Sequence, residues 1–292
     1  MTMEPTRTID LHIHSTLSDG TDPPETIPAR VREAGIGLFS VTDHDSIRAA
    51  QIIPPLLGGE DPAFVCGVEF SCKDELGKYH ILGYGYDPDS DPIRQVVETG
   101  HGYRMKKVRA RLDFLRTKFG FDFPKEELRR LLALENPGKP NIVNMMVRFG
   151  YAKTKEQAIR EFINRVHFRS EYVRPEEAVR GILGSGGIPV LAHPCFGNGE
   201  DLILGEELRE RVRRLVGFGL QGVEAFYSGF SPKMRNETLS LAQSLGLYVT
   251  AGSDYHGKNK LILLGDTGVE SDLELPEGML RFLKDVRKRN AG

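Results

Sequence analysis

Short apolar runs alternate with amphipathic helical segments along most of this chain. At its start, the pattern predicts a strand over residues 8–14, a helix over residues 25–34 and a second strand over residues 36–41. Later apolar runs, several of them separated by helical patterns such as residues 231–245, cover residues 63–68, 79–84, 188–192, 222–225 and 247–251. This alternation predicts an α/β fold with a mostly parallel sheet or barrel.

The alternation stops between residues 91 and 174, where the apolar spacing is helical throughout. Helices are predicted over residues 95–119, 125–134, 141–149 and 155–164. A turn-rich stretch at residues 87–92 precedes this region, and Pro175 after it suits the first turn of a new helix. We therefore expect a barrel domain built from residues 1–90 and 175–292, and an inserted all-helical subdomain at residues 91–174 that caps the substrate.

The composition is that of an ordinary globular protein, with 39% hydrophobic and 27% charged residues and no apolar run long enough to span a membrane. Three cysteines without a paired pattern, and a polar start, lead us to expect a cytoplasmic protein without disulfides. The net charge is only −2, but Lys and Arg outnumber Asp and Glu by 17 to 7 between residues 100 and 170. Such a basic segment favours an anionic ligand, although a solvated basic helix surface would give the same count.

Histidines and acids fall where the predicted strands end. His12 and His14 are two residues apart in the first strand, so both side chains point to one side of an extended chain and can face one metal. Six of the eight histidines, with three acids, occupy such positions. The nine residues are His12, His14, Asp19, His44, Glu69, His80, His193, Asp254 and His256.

Ligands delivered from the ends of several strands are typical of barrel enzymes. A single histidine is more often an ordinary core or surface residue than a ligand, but nine residues in this arrangement favour a metal site. Nitrogen and oxygen ligands without a cysteine set indicate zinc, manganese or iron. A cluster of such ions lowers the pKa of a bound water and neutralises phosphoryl charge, which are the two effects that phosphate-ester hydrolysis needs.

The order of these motifs resembles the polymerase and histidinol phosphatase (PHP) family. The chain has His-x-His, Ser-Asp-Gly, Thr-Asp-His-Asp, Gly-Val-Glu, Ala-His-Pro and Ser-Asp-x-His in that order between Ile9 and His256. The resemblance implies a distorted seven-stranded β/α barrel with two or three divalent ions at the C-terminal ends of its strands. Some members of the family have histidine at the position of Asp19.

Carried over position by position, the resemblance implies three groups of ligands. One ion would be held by His12, His14, Glu69 and Asp254, a second by Glu69, His80 and His193 with Glu69 bridging, and a third by Asp19, His44 and His256. It also implies catalytic roles for Glu69 and His193. We add a weaker expectation from the residues themselves, that Asp45 protonates the leaving oxygen.

The helical insertion resembles that of PHP phosphoesterases acting on nucleotides, including 3′,5′-bisphosphates, with relatives that open cyclic ribose phosphates. Many of these carry an Arg-x-His-x-x-Arg stretch that contacts the substrate. Here the stretch reads Lys139, Asn141 and Asn144 at the three positions, so only the first remains basic. Other cations of the insertion are candidate phosphate contacts, although a solvated helix face explains each of them equally simply; they are Arg104, Lys107, Arg148, His167 and Arg169.

We therefore predict a metal-dependent phosphoesterase that hydrolyses a small phosphorylated metabolite, either a nucleotide 3′,5′-bisphosphate or a ribose phosphate. The expected partner is this anionic substrate, with no membrane and no nucleic acid except a short oligonucleotide. Two alternatives remain. An amidohydrolase that cleaves C–N bonds shares the strand-end His-x-His, but the Thr-Asp-His-Asp element is foreign to that class. A metal-stabilised nucleic-acid-binding scaffold is the other, although inactive copies usually lose ligands and none of the nine is missing.

Overall fold

A computed structural model describes residues 9–166, 170–197, 202–269 and 274–290 of the chain. These residues form eight strands, which we number in chain order: β1 (Ile9–Ile13), β2 (Leu38–Val41), β3 (Ala63–Phe64), β4 (Gly67–Asp74), β5 (Gly77–Tyr84), β6 (Ile188–Leu191), β7 (Gly222–Tyr227) and β8 (Tyr248–Gly252). The α-helices are α1 (Ile27–Glu33), α2 (Ala49–Ile52), α3 (Asp91–Phe119), α4 (Lys125–Leu132), α5 (Lys139–Arg148), α6 (Lys155–Gln157), α7 (Pro175–Gly184), α8 (Gly205–Phe218), α9 (Pro232–Ser244) and α10 (Glu277–Asn290).

The strands form two hydrogen-bonded sheets, so the mixed α/β class predicted from the sequence is confirmed. One sheet has the order β1-β2-β3 and is parallel, and the other has the order β4-β5-β6-β7-β8. In the second sheet β6, β7 and β8 are parallel, whereas β5 is antiparallel to both β4 and β6. Most strand pairings are thus parallel, as expected, and both exceptions involve β5, because the short turn between Asp74 and Gly77 reverses the chain directly.

Two isolated bridges join the ends of the sheets without closing them into a continuous ladder. Ile13, at the end of β1, bridges Tyr255 just after β8, and His44, after β2, bridges Glu69 in β4. Backbone bonds support the first contact, since the Asp254 amide donates to the carbonyl of His12 over 2.8 Å. Within the described ranges the sheet is not closed, and the seven-stranded barrel is not seen as such.

The helices between residues 91 and 165 enclose a small hydrophobic core of their own. Leu115 of α3 packs there with Phe121, Phe123 and residues of α5 such as Ile142 and Met146, all of them buried. The predicted helix over residues 155–164 is instead one turn of α6 followed by a π-helical turn (Ala158–Phe162) and a 3₁₀ turn (Ile163–Arg165). Most of α3's buried contacts outside this core are with α7, against which it lies.

The main core lies between the five-stranded sheet and its covering helices. Residues of β4 to β8 pack there with α7, α8, α9 and α10, and the fully buried members include Tyr84, Phe70 and Phe282. Across the part of the chain that the structure describes, none of the helices combines the length and the apolar character that crossing a bilayer requires.

Candidate metal centre

Glu69 lies at the centre of a cluster of five histidines. It is only 1% exposed, and its Oε2 atom is 3.3 Å from His12 Nε2, 3.2 Å from His14 Nε2 and 3.2 Å from His44 Nδ1. Its Oε1 atom is 2.8 Å from His80 Nδ1 and 3.4 Å from His193 Nε2. One carboxylate thus faces imidazoles from both sheets, which is the arrangement expected of a bridging ligand.

The remaining acids complete the cluster on one side of Glu69. Asp254 Oδ1 lies 3.6 Å from His12 Nε2 and 3.3 Å from His14 Nε2. Asp19 Oδ1 lies 3.2 Å from His256 Nε2, and its other oxygen is 4.0 Å from His44 Nε2. The structure therefore brings together all nine residues that the sequence pattern singled out, from positions spread across most of the chain.

The elements that carry these residues explain the convergence. His12 and His14 leave the end of β1 on one face, as the two-residue spacing requires. Glu69 and His80 lie inside β4 and β5, so the expectation that Glu69 ends a strand is wrong: that strand continues into the hairpin. The non-glycine residues with positive φ in the described chain are Asp45, His193 and Asp254, with φ of 51°, 27° and 59°. All three lie at the site, where such backbone strain is commonly found.

Several atoms that face the interior of the cluster have no hydrogen-bond partner among the described residues. They are His12 Nε2, His14 Nε2, His44 Nδ1 and both oxygens of Glu69. A buried polar atom without a partner is costly, and such groups rarely persist without an ion or another ligand. Three subsets of ligand atoms lie close enough to surround an ion: His14, Asp19, His44 and His256; His12, His14 and Asp254; and His44, Glu69 and His80. The donor set therefore fits divalent metal ions.

The ionisation of the cluster follows from burial opposed by close opposite charges. Burial by itself would raise the pKa of Glu69, but His80, His44 and His12 hold it well below its ordinary value. Burial would lower the pKa of His14, yet the close carboxylates of Asp254 and Glu69 raise it to about 9. Burial lowers the pKa of His44 well below the ordinary value. The acids are thus ready to bind cations, and binding at His14 displaces a proton.

Glu224 is a residue of this site that sequence reasoning missed. It lies fully buried in β7, where its Oε1 accepts from His12 Nδ1 over 2.9 Å and its Oε2 accepts from the His193 amide over 2.8 Å. The first bond leaves His12 Nε2 to face the cluster. The signal was an acid within an apolar strand, Gly-Val-Glu-Ala, because a buried carboxylate needs partners.

Further hydrogen bonds hold the acids in place. Tyr227 donates its hydroxyl to Asp254 Oδ2 over 2.9 Å, and the Lys260 ammonium pairs with the same oxygen. Asp10, also missed, accepts from the amide and the hydroxyl of Ser253 and so fixes the residue before Asp254. Gly252 ends β8 beside His12, and a side chain there would overlap His12 and the Glu224 carboxylate. These contacts leave each metal-facing atom little freedom.

Asp45 lies beside the cluster and is bound on its outer side. It is 1% exposed, its Oδ2 accepts from Arg104 Nε over 2.9 Å, and its Oδ1 accepts from the Ser71 amide over 3.2 Å. Arg104 also donates to the Ser71 hydroxyl over 3.0 Å. Asp45, in the segment after β2, and Arg104, in α3, are therefore joined beside the cluster.

The other predicted substrate contacts are spread over the insertion. Asn144 donates to the side chain of Asn259 over 3.1 Å, and Asn259 donates to the carbonyl of Asp19 over 2.7 Å. Asn141 accepts from the Gly138 amide and caps α5, and Lys139 is exposed in the first turn of that helix. Exposed Arg148 pairs with Glu127. His167 and Arg169 lie outside the described residues.

No protein-family profile matches the chain, but individual relatives align along most of it. A phosphoribosyl 1,2-cyclic phosphate 1,2-diphosphodiesterase from Eggerthella lenta is 30% identical over 85% of this chain and 94% of its own length. A 5′-3′ exoribonuclease from Haemophilus influenzae is 25% identical over 86% and 90%. A 3′,5′-nucleoside bisphosphate phosphatase from Chromobacterium violaceum is 26% identical over 85% and 87%.

A solved structure agrees with these relatives at the level of the fold. A protein from Bifidobacterium adolescentis, named for a metal-dependent phosphoesterase, superposes with a TM-score of 0.80 at 24% identity, covering 98% of this chain and 97% of that one. The relatives are phosphoric ester hydrolases, and the strand-end motifs in this chain converge on atoms that fit divalent ions. The chain therefore belongs to the PHP family of metal-dependent phosphoesterases.

Proposed function

We propose that this phosphoesterase hydrolyses a small phosphorylated metabolite, either a nucleotide 3′,5′-bisphosphate or a ribose phosphate, including a cyclic one. The observation that carries the proposal is the cluster of imidazoles and carboxylates around Glu69. The basic helix α3 presents Arg104 beside this cluster. Relatives named for the cyclic ribose phosphate and for the nucleoside bisphosphate support the two substrate types.

We propose that the site holds two or three divalent ions of manganese, zinc or iron. His12, His14, Glu69 and Asp254 would hold one of them. Glu69, His80 and His193 would hold a second, and Asp19, His44 and His256 a third. When bound, such ions lower the pKa of water and neutralise charge on a phosphoryl group. The carboxylate of Asp19, where some members of the family have histidine, places a harder oxygen ligand there, which favours manganese at the third position.

The chain's own residues then orient the reaction. Glu224 holds His12 and His193 in fixed positions, and Tyr227 and Lys260 fix Asp254, so the ligands do not reorganise during a turnover. Arg104 presents a guanidinium beside the cluster, where its positive charge attracts an anionic substrate. We retain Asp45 as the donor of a proton to the leaving oxygen, a role tested below.

We extend the proposal to the architecture. The bridges Ile13 to Tyr255 and His44 to Glu69 support a distorted barrel in which the two sheets meet at the metal ligands. The separate core of α3 to α6 supports an inserted subdomain at residues 91–174. Contacts of Asn136 with the carbonyl of Asp45, and of Glu135 with Ser46, support its role as a cap over the substrate.

We propose small phosphate esters as the main substrates, with short oligonucleotides as further ones. The exoribonuclease relative supports a place for RNA ends at this site. The three cysteines are free thiols, which supports a cytoplasmic location because reduced cysteines are usual there.

The proposal is tested by measuring inorganic phosphate and alcohol products across a panel of nucleotide and sugar phosphates, with manganese added. We expect turnover of a nucleoside 3′,5′-bisphosphate or a ribose cyclic phosphate, and no ammonia from a parallel panel of amides. An absence of hydrolysis in every phosphate ester, with the protein folded and metal-loaded, would refute the proposed function. Loss of activity in Glu69→Ala provides the control for a contaminating phosphatase.

A further inference from the structure

Lys107 is a buried cation for which the described residues offer no carboxylate partner. It lies on α3, one turn beyond Arg104, and is 7% exposed. Its Nζ atom lies 3.8 Å from the centre of the Tyr172 ring. An aromatic face offsets only part of the cost of removing an ammonium group from water. The neighbouring Lys106 is different, since it is exposed and pairs with Glu171 over 2.9 Å.

The charges around Lys107 are mostly of its own sign. Among the strongest influences on it are three cations, Arg104, Arg111 and Lys78, and the carboxylate of Asp45, which is already bound by Arg104. Burial, followed by the nearby Arg104, lowers the pKa of Lys107 to about 7. A group of cations held this close, with one paired carboxylate among them, attracts a further anion.

The register of the hairpin places this cationic group directly next to the metal centre. Ser71, which accepts from Arg104, is opposite His80, and the next pair outward on the same face is Lys73 and Lys78. Two residues along a strand span about 6.6 Å. A phosphate at Lys78 and Lys107 would thus be separated from the metal ligands by the length of about one sugar unit.

The two asparagines of α5 that face the loop regions near the site are already engaged in contacts within the protein. Asn144 connects α5 to Asn259, and Asn141 caps the helix through the Gly138 amide. Neither amide carries the positive charge that a phosphate dianion favours. Recognition of a second phosphate therefore needs another source of charge near the site.

We propose that Lys107, Lys78 and Arg104 form a second anion subsite, which binds a phosphate group of the substrate other than the one that is hydrolysed. This inference rests on the proposed function and sharpens it, because it makes a substrate with two phosphates the preferred class. The second phosphate belongs either to a bisphosphorylated small molecule or to the next linkage of a short oligonucleotide. Both present the same anionic oxygens to the subsite.

The test compares Lys107→Gln and Lys78→Gln with the matched control Lys106→Gln. Each manganese-loaded protein is assayed with a nucleoside 3′,5′-bisphosphate, the two corresponding monophosphates and a 5′-phosphorylated trinucleotide. We expect Lys107→Gln to lower the kcat/KM ratio of bisphosphate to monophosphate by roughly 10- to 100-fold, mainly through KM, since a charge-assisted contact is lost. Lys106→Gln leaves this bisphosphate-to-monophosphate ratio at its wild-type value. Lys107→Arg, which keeps the positive charge, has a ratio close to that of the wild type.

The substrates identify the source of the second phosphate. A fall confined to the bisphosphate assigns the subsite to a small metabolite, whereas an equal fall for the trinucleotide assigns it to an oligonucleotide chain, and both results support the subsite. An unchanged ratio in Lys107→Gln and Lys78→Gln overturns the inference. Equal losses on monophosphate and bisphosphate also overturn it, because Lys107 would then act only through Asp45 and Arg104.

Equilibrium binding separates failure of the subsite from failure of the proposed function. The bisphosphate is titrated calorimetrically into the metal-free protein and its variants. Weaker binding in Lys107→Gln than in Lys106→Gln supports the subsite even if the wild type hydrolyses none of the four substrates. Identical binding in both variants refutes the subsite even if the wild type is an active phosphoesterase.

Discussion

The ring of ligands around Glu69 and the cationic face of α3 lie side by side, but they are built in opposite ways. In the ring, buried groups of opposite charge neutralise one another, and outer partners such as Glu224 hold them in place. On α3, Lys107 is buried with like charges around it and an aromatic ring beneath it. The difference indicates that the charges around Glu69 are balanced within the protein. The positive charges on α3 are not, so we expect an anionic group of the substrate to balance them.

The largest expected effect comes from removing the bridging carboxylate of the ring. Glu69→Gln keeps the shape of the side chain but removes the charge that faces five histidines, so metal affinity falls. We expect kcat to decrease by a factor on the order of 10³ or more, because ions and their activated water supply most of the rate. Metal content by elemental analysis, with phosphate release, checks this. Near-normal activity at full metal loading would show that Glu69 is dispensable.

A second substitution tests the contact between the two regions. If Asp45 protonates the leaving oxygen, Asp45→Asn lowers kcat by roughly 10²-fold for an alkyl phosphate and much less for an aryl phosphate, whose leaving group needs no proton. If Asp45 only positions Arg104, both esters lose activity equally. The measurement is kcat for the two esters, with circular dichroism to verify folding, since the change leaves the Arg104 charge without its partner.

Glu224→Gln tests whether the outer partners of the ring matter as the geometry indicates. The amide still fits the space but accepts less strongly from His12 Nδ1 and from the His193 amide. We expect metal affinity or kcat/KM to fall by about 10- to 100-fold, the usual effect of changing such a partner. Titration with manganese followed by activity gives the affinity. A variant that binds and turns over like the wild type would remove Glu224 from the account of the site.

The smallest effect concerns the stability of the cationic face. Since the pKa of Lys107 falls to about 7 in the folded protein from about 10.4 in the unfolded chain, the unfolded state binds the proton more tightly between these values. The cost to folding is therefore fully present below pH 7 and disappears as pH rises towards 10.4. Lys107→Met should be more stable than the wild type at pH 6 and lose that advantage by pH 10, as urea unfolding would show. A constant difference across this range would contradict the assignment.

Much of the ligand set was predictable because it follows from strand geometry. His12 and His14 had to share a face, and strand ends had to meet, so spacing alone brought these residues together. The hairpin of β4 and β5 was not predictable in the same way, because its turn is marked only by Asp74 and Gly77, without a strong two-residue turn signal between them. Periodicity therefore placed Glu69 at a strand end, although the register with β5 keeps it in mid-strand.

The contributions of Glu224 and Asp10 could not be read from spacing. The apolar spacing of the surrounding residues predicts each element whether or not this residue is present. Its role follows only from the residues that contact it in the folded protein. The predictions for Lys139 and Arg148 illustrate the opposite case, since both are cations with suitable positions in the sequence that are exposed in the fold. The charge count shows that residues 100–170 are basic, but burial decides which of these cations are costly enough to need an anion.

Gly252 has a consequence for anyone who maps this site by mutagenesis. Because even a methyl group there would collide with His12 and the Glu224 carboxylate, alanine at this position separates β8 from β1 and displaces Asp254. A saturation screen scored on activity would rank this glycine with the metal ligands, although it has no side chain to offer a metal or a substrate. Substitutions of Gly252 would fail because the two sheets lie too close together at this point to leave room for a side chain.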